Sequence, residues 1–257
     1  MKKVAYLKAV WLLVGVWGLA DGQNTAVTLY QNQQAGEATY FQESLFGNCS
    51  ISPTLPAWGD LLTYHVALSP TQYSSGDSSG GCGVCLQGTY LGTGNGTTPP
   101  PNTFTALVVD QCPGCNVGDL DLADDTGDGR WDISWQAIDC PVGNDKLAYL
   151  LQGSNPFFIK VGVRNHRIAP KSVQIKSQTN AAYVMATRTS DNFFTCTGCP
   201  TPHDYPMPIR ILGINGQVID DLIPALTNDV LQTGVNNQQF LSINDLIFVD
   251  GFEDLGF

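Results

Sequence analysis

The sequence predicts an all-β protein, on three observations. Short apolar runs recur about every ten to twenty residues, bounded by turn formers. No long stretch repeats with the 3.6-residue period of a helix. Charged residues make up only 14% of the chain, while glycine, threonine, serine and asparagine abound between the runs, as in proteins whose surface is mostly turns. This spacing fits a closed or sandwiched β architecture and not alternating α and β elements. At 257 residues, the chain has room for two domains.

Taken in order, Lys2 and Lys3 precede an apolar run from Val10 to Leu19 that ends in the small-x-small triplet Gly18-Leu19-Ala20, so residues 1–20 read as a secretory signal peptide. The run is too short for a membrane span of about 20 apolar helical residues, and a soluble, extracellular monomer is expected. Residues 21–35 are polar and without period and read as a leader or linker. A first domain over 36–142 opens with a strand at 36–41, then a strand at 64–68 and a single capped helical turn at 69–73. A Ser/Gly loop leads to a strand at 86–90. The stretch GTGNGTTPPP follows, where Asn95-Gly96 and three prolines argue against regular structure. Another strand is expected at 104–109. In WDISWQAI, Trp131, Ile133, Trp135 and Ala137 alternate with Asp132, Ser134 and Gln136, which predicts a strand with one buried and one wet face. A second domain over 143–240 reads as an antiparallel sandwich, with strands near 146–151, 157–165, 172–176, 183–188, 209–214 and 217–219. The acidic and apolar end, 241–257, fits a flexible tail, a sorting signal or a docking strand.

Removing residues 1–20 takes away three lysines and no acid, moving the formal net charge from −11 to −14. Nucleic acid and acidic membrane surfaces are therefore disfavoured as partners, and a neutral polymer is favoured. The eight cysteines are an even set. In an exported protein they pair with one another in preference to holding zinc, and no helix is expected to start at Cys82-Gly-Val-Cys85 or Cys112-Pro-Gly-Cys115 to activate a thiol. Asp124, Thr126 and Asp128 imitate the start of a calcium loop, but Trp135 stands where the bidentate acid belongs, so a solvated turn is expected. No metal or cofactor is expected.

The densest stretch for chemistry runs from Val108 to Val142. Asp121 lies between Leu120 and Leu122, whose side chains point to a core; the carboxylate is expected to be partly desolvated with a raised pKa. Asp110 ends a strand and fits either a groove carboxylate or a turn cap.

Several motifs stand in a specific order: Gly36-Glu37-Ala38-Thr39-Tyr40, Gly47-Asn48-Cys49-Ser50, Gly81-Cys82-Gly83-Val84-Cys85, Val109-Asp110-Gln111-Cys112-Pro113 and Leu120-Asp121-Leu122. They are followed by Gly153-Ser154-Asn155-Pro156-Phe157-Phe158 and Val163-Arg164-Asn165-His166-Arg167. This set, over about residues 36 to 240, resembles the microbial expansin-like proteins. The resemblance implies a six-stranded double-psi β-barrel, related to a family of glycoside hydrolases, and then an immunoglobulin-like cellulose-binding sandwich. By analogy with disulfide-bearing relatives it implies the pairs Cys49–Cys82, Cys85–Cys140 and Cys112–Cys115, leaving Cys196–Cys199. It further implies a polar groove of Asp121, Asp110, Thr39 and Tyr40, and a sugar-stacking platform at Phe157 and Phe158. Asp191 stands where relatives carry a third aromatic. Arg164 to Arg167 are expected at the seam between the domains.

Inverting glycoside hydrolysis needs an acid and a carboxylate base about 6.5–9.5 Å apart. Asp121 matches the acid of the related hydrolases, but their base position carries Gln42, and an amide takes no proton from water at neutral pH. The expected function is therefore binding of cellulose or another β-glucan and loosening of wall polymers without hydrolysis. Two alternatives stand beside it: a weak endoglucanase or lytic glycosidase with Asp121 as general acid and Glu43 adjacent, and a polysaccharide-binding protein with an inert barrel.

Overall fold

A computed structural model describes residues 25–42, 47–51, 54–74, 77–177 and 182–245. The signal peptide, Glu43 and the end of the tail from residue 246 lie outside the described residues. Six strands close a barrel: β1 (Gln34–Phe41), β2 (Tyr64–Leu68), β3 (Cys85–Asn95), β4 (Thr103–Gln111), β5 (Leu120–Ala123) and β6 (Arg130–Ile138), in the order β1-β5-β2-β4-β3-β6. β1 runs parallel to β5 and β2 parallel to β4; the other neighbours are antiparallel. The alternation read from WDISWQAI is realised in β6, where Trp131, Ile133, Trp135 and Ala137 are buried and the residues between them are not.

The remaining strands form two sheets, so the chain is all-β with a barrel followed by a sandwich. β7 (Ala148–Leu151), β8 (Lys160–Arg164), β11 (Thr187–Arg188), β12 (Phe194–Thr195) and β15 (Leu231–Thr233) form one, ordered β11-β12-β8-β7-β15. β9 (Pro170–Ile175), β10 (Val184–Met185), β13 (Met207–Gly213) and β14 (Val218–Ile223) form the other, ordered β10-β9-β13-β14. The strands β12 and β15, two and three residues long, were too short to show a period in the sequence. Among the described residues no helix is long and apolar enough to cross a membrane.

Two sequence expectations are corrected. The stretch taken for a leader holds a helix, α1 (Thr25–Gln31), and the first residues of β1. Ala26, Leu29 and Tyr30 are spaced i, i+3, i+4 and buried, so three residues on one face dock the helix. Gln136 Nε2 donates to the Tyr30 carbonyl at 2.6 Å. Seven residues are too few for that spacing to stand out from a polar background. Secondly, β3 does not stop at Tyr90 but continues through Gly92-Thr93-Gly94-Asn95 after an irregularity in its pairing with β6. Gly94 makes this possible: it sits at φ +148°, and a Cβ there would lie 2.5 Å from both the Trp131 ring and the Arg130 carbonyl. Glycine here permits close approach of two strands instead of breaking one.

The barrel and the sandwich meet through hydrogen bonds. Trp58 Nε1 donates to Asn165 Oδ1 at 2.5 Å, Arg164 to the Ser50 carbonyl at 3.2 Å, Ser79 Oγ to the Thr189 carbonyl at 2.8 Å, and Arg188 to the Ser79 carbonyl at 3.0 Å. His166 is buried against Gly83, and burial next to Arg164 and Arg188 pushes its pKa down to about 3, so it stays neutral. The Arg164–Arg167 run thus sits at the seam. All eight cysteines are paired as Cys49–Cys82, Cys85–Cys140, Cys112–Cys115 and Cys196–Cys199.

Candidate functional site

Strand register builds the first site. In the parallel β1–β5 pair Thr39 lies opposite Asp121; in the antiparallel β2–β5 pair Ala67 lies opposite Asp121; and in the parallel β2–β4 pair Ala67 lies opposite Asp110. Register partners on adjacent strands share a face. A row Thr39–Asp121–Ala67–Asp110 therefore crosses four strands, with Leu120 and Leu122 turned into the core on the other face. Ala67, between the two carboxylates, is itself buried. The Cα atoms of Asp121 and Asp110 are two strand spacings apart, about 10 Å.

Thr39 Oγ1 donates to Asp121 Oδ1 at 2.6 Å. Burial pushes the half-buried Asp121 carboxyl above the usual range, while the Thr39 hydrogen bond and the charge of Arg130 pull the other way; the net shift is upward, as its two leucine neighbours predicted. Asp110 is differently occupied. Its Oδ1 accepts the Asn48 N–H at 2.7 Å and the Gln111 N–H at 2.8 Å, so it caps the chain after β4 and holds the 47–51 segment to it. Of the two roles left open for Asp110, the cap is thus occupied, though the residue remains in the row.

Tyr40 does not join Thr39. It alternates to the opposite face of β1, opposite Leu122, and its hydroxyl donates to the Thr98 carbonyl at 2.9 Å. Its ring lies against Gly127, where a Cβ would come within 2.1 Å of a ring carbon. Burial raises the Tyr40 pKa, with Tyr64, Asp124 and Asp128 adding to it. The segment that imitates a calcium loop has a structural use. Asp128 accepts the N–H groups of Thr97 and Thr98 at 2.9 and 2.6 Å, and Asp124 accepts the Thr126 N–H and O–H at 2.9 and 2.7 Å. These bonds hold both aspartates below the usual carboxylate range. Ala67 in the row, and Tyr64, Thr98, Asp124 and Asp128 around Tyr40, are site neighbours that the sequence reading did not include. Only Asp124 and Asp128 carried a signal, and it pointed to calcium.

The second site lies ahead of β8. Phe157 and Phe158 were expected within a strand, where alternation would bury one of them. They sit instead in a tight turn in which Asn155 and Phe158 exchange backbone hydrogen bonds, and Asn155 Oδ1 accepts the Phe157 N–H at 2.8 Å. The turn projects both rings outward, 72% and 37% exposed. Asp191 pairs with Lys160 Nζ at 2.7 Å and accepts the Thr189 hydroxyl at 2.5 Å. Burial works to raise its pKa, but these partners outweigh it and hold the carboxylate ionised. Phe193 and Phe194 are core residues, the first with Lys160 Nζ 4.5 Å from its ring centre.

No protein-family model matches the chain. Expansin-like protein 1 of Dictyostelium discoideum is 22% identical over 204 residues, covering 74% of this chain and 66% of that protein, so the chain spans just under two thirds of this relative's length. The crystal structure of apo Clavibacter michiganensis expansin superposes with a TM-score of 0.64 at 25% identity, covering 82% of this chain and 98% of that one. An aspartate-to-asparagine mutant of the same expansin, solved in complex with cellohexaose, gives the same TM-score and coverage at 24% identity. In its closed six-stranded barrel, its sandwich and its sequence, the chain is similar to the expansins.

Proposed function

We propose that the protein is exported, binds cellulose or a related β-glucan, and loosens contacts between polymer chains without cutting them. Phe157 and Phe158 supply the holding surface: exposed aromatic rings suit the apolar faces of pyranose rings. The half-buried Thr39–Asp121 pair supplies hydroxyl-bonding groups that compete with chain-to-chain contacts. The cellohexaose complex of the Clavibacter mutant supports an oligoglucan as the ligand class.

The observation that carries the non-hydrolytic reading is where the carboxylates spend their hydrogen bonds. Asp110 accepts the Asn48 and Gln111 N–H groups, Asp124 that of Thr126 and Asp128 those of Thr97 and Thr98, and Gln42 is an exposed amide. Among the described residues, none of these four is poised beside Asp121 as a general base, and losing such help costs about 10²- to 10⁴-fold in rate. A weak glycoside hydrolase is the second reading, favoured by the raised pKa of Asp121, which suits a general acid, and by Asp110 two strands away.

The test measures retention on cellulose, release of reducing ends and creep of wall strips. We expect retention and creep without reducing ends, and loss of creep in Asp121→Ala. Reducing ends released by the natural protein and abolished in Asp121→Asn establish the hydrolase instead. Creep that survives Asp121→Ala but vanishes in the Phe157→Ala/Phe158→Ala double variant establishes an inert barrel.

A further inference from the structure

Three of the four disulfides are buried, with none of their cysteines more than 8% exposed. Cys112–Cys115 differs: both cysteines are only partly buried, and Pro113 and Gly114 between them are exposed. A thiol reductant must reach a sulfur to attack it, so this bridge is the most open to exchange. Its loop is also much shorter than the 33- and 55-residue separations closed by Cys49–Cys82 and Cys85–Cys140, so it constrains the unfolded chain far less than they do.

The position of this bridge is specific. The Cys112 N–H donates to the Leu68 carbonyl at 2.7 Å, which hangs the turn on β2 next to Ala67, and the Cys115 N–H closes the turn on the Cys112 carbonyl at 3.2 Å. As a result the two Sγ atoms and a carboxylate oxygen of Asp121 lie within 4.8 Å of one another. No other group of three histidine, cysteine or acidic side chains comes this close among the described residues.

We propose that Cys112, Cys115 and Asp121 form a redox-gated site for a zinc-class divalent cation, closed while the cysteines are bridged and assembled when the bridge is reduced. A dithiol reductant attacks one sulfur through a mixed disulfide; its own two thiols end as a disulfide, and the protein's two cysteines end as thiols. The cation displaces both thiol protons to solvent and binds two thiolates, with an oxygen of Asp121 as third ligand, leaving one coordination position open.

The geometry suits this. Zinc–sulfur bonds of about 2.3 Å and zinc–oxygen bonds of about 2.0–2.2 Å place donor atoms about 3.5–4 Å apart, inside the span these atoms already occupy. The sulfurs need only rotate away from bonding distance, on Cα atoms 5.4 Å apart. The turn between them has room to follow, since a Cβ at Gly114 would meet nothing within 4 Å. The Thr39 hydroxyl orients the Asp121 carboxylate as an outer partner orients a metal ligand, and a cation relieves the desolvation of that carboxylate. A cation held there withdraws Asp121 from the barrel face that the proposed function assigns to glucan.

The experiment uses the full chain, oxidised and then treated anaerobically with graded dithiothreitol, with mass analysis of alkylated peptides reporting which bridges open. Co²⁺ is the probe. We expect Cys112 and Cys115 to be alkylated first, and the reduced protein to show a sulfur-to-cobalt charge-transfer band that saturates at one cobalt per chain and is bleached by Zn²⁺. The oxidised protein shows none, and Asp121→Asn weakens cobalt binding by about tenfold or more. The proposal is overturned if Cys112 and Cys115 are no more reducible than the other six cysteines, if the reduced protein shows no band, or if Asp121→Asn binds cobalt unchanged. Zn²⁺ should also lower wall creep by the reduced protein only. That arm alone rests on the glucan reading: lack of creep by the oxidised protein would count against that reading while the cobalt spectrum still decides the site.

Discussion

Thr39→Val nearly keeps the side-chain shape and removes one hydroxyl, the donor to Asp121 Oδ1 at 2.6 Å. A hydrogen bond to a charged group is worth about 1.5–3 kcal/mol when buried. Asp121 is only half-buried, so water replaces part of the lost bond, and a cost of about 1 kcal/mol at neutral pH is expected. The pH dependence has a definite sign. Burial raises the folded-state pKa of Asp121 above its unfolded value, so its own contribution to stability is fully present below the unfolded pKa and is lost as pH rises through the folded one. The Thr39 bond opposes that rise because it favours the ionised form, so its removal lets the pKa climb further. The cost of Thr39→Val is then present above the folded pKa and shrinks as pH falls through it. Urea unfolding at neutral and acid pH measures the cost, and a carbon NMR titration of the Asp121 carboxyl follows the pKa. An equal cost at both pH values, or a pKa that moves down, would refute the assignment and reduce Thr39 to a packing residue.

Replacing Phe157 and Phe158 together by alanine removes one stacking face from each ring. With roughly 150–250 Å² per side chain, about 60 Å² lost per face and about 25 cal/mol per Å², the pair contributes about 3 kcal/mol, on the order of 100-fold in affinity for insoluble glucan. Because both rings are exposed, the thermal midpoint should hardly move, and unchanged retention in pull-down would remove the platform from the account. Gly127→Ala drives a Cβ to within 2.1 Å of the Tyr40 ring, so the ring must shift and its bond to Thr98 breaks; we expect about 1–3 kcal/mol of destabilisation by denaturant titration. Tyr149→Phe takes one of three donors from the buried Asp221, which also accepts the Leu222 and Asn236 N–H groups, and should cost about 1.5–3 kcal/mol at neutral pH. A loss below about 0.5 kcal/mol in calorimetry would show that Asp221 finds another partner.

What could be read along the chain was what depends on near neighbours. The two-residue alternation of Trp131, Ile133, Trp135 and Ala137 marked β6 and its buried face, because a strand's pleat is a local property. The leucines on either side of Asp121 announced its desolvation for the same reason. The α1 helix escaped because three apolar residues over two turns are too few to show a period. β3 was cut short because glycines that read as breakers are there to let Trp131 approach. Phe157 and Phe158 had the right residue type but the wrong setting, since a turn and not a strand projects them.

Composition, alternation and motif order were enough to determine an all-β chain, its expansin-like character and Asp121 as a perturbed carboxylate. Only the tertiary structure decided that Thr39, Asp121, Ala67 and Asp110 form one row, that Tyr40 stands apart from it, and that Cys112–Cys115 lies against Asp121. The reason is that these relations follow from strand register around a closed barrel. Register joins residues 82 positions apart, as in the Thr39–Asp121 bond, and is set by the packing of the whole barrel, on which no short window of sequence reports.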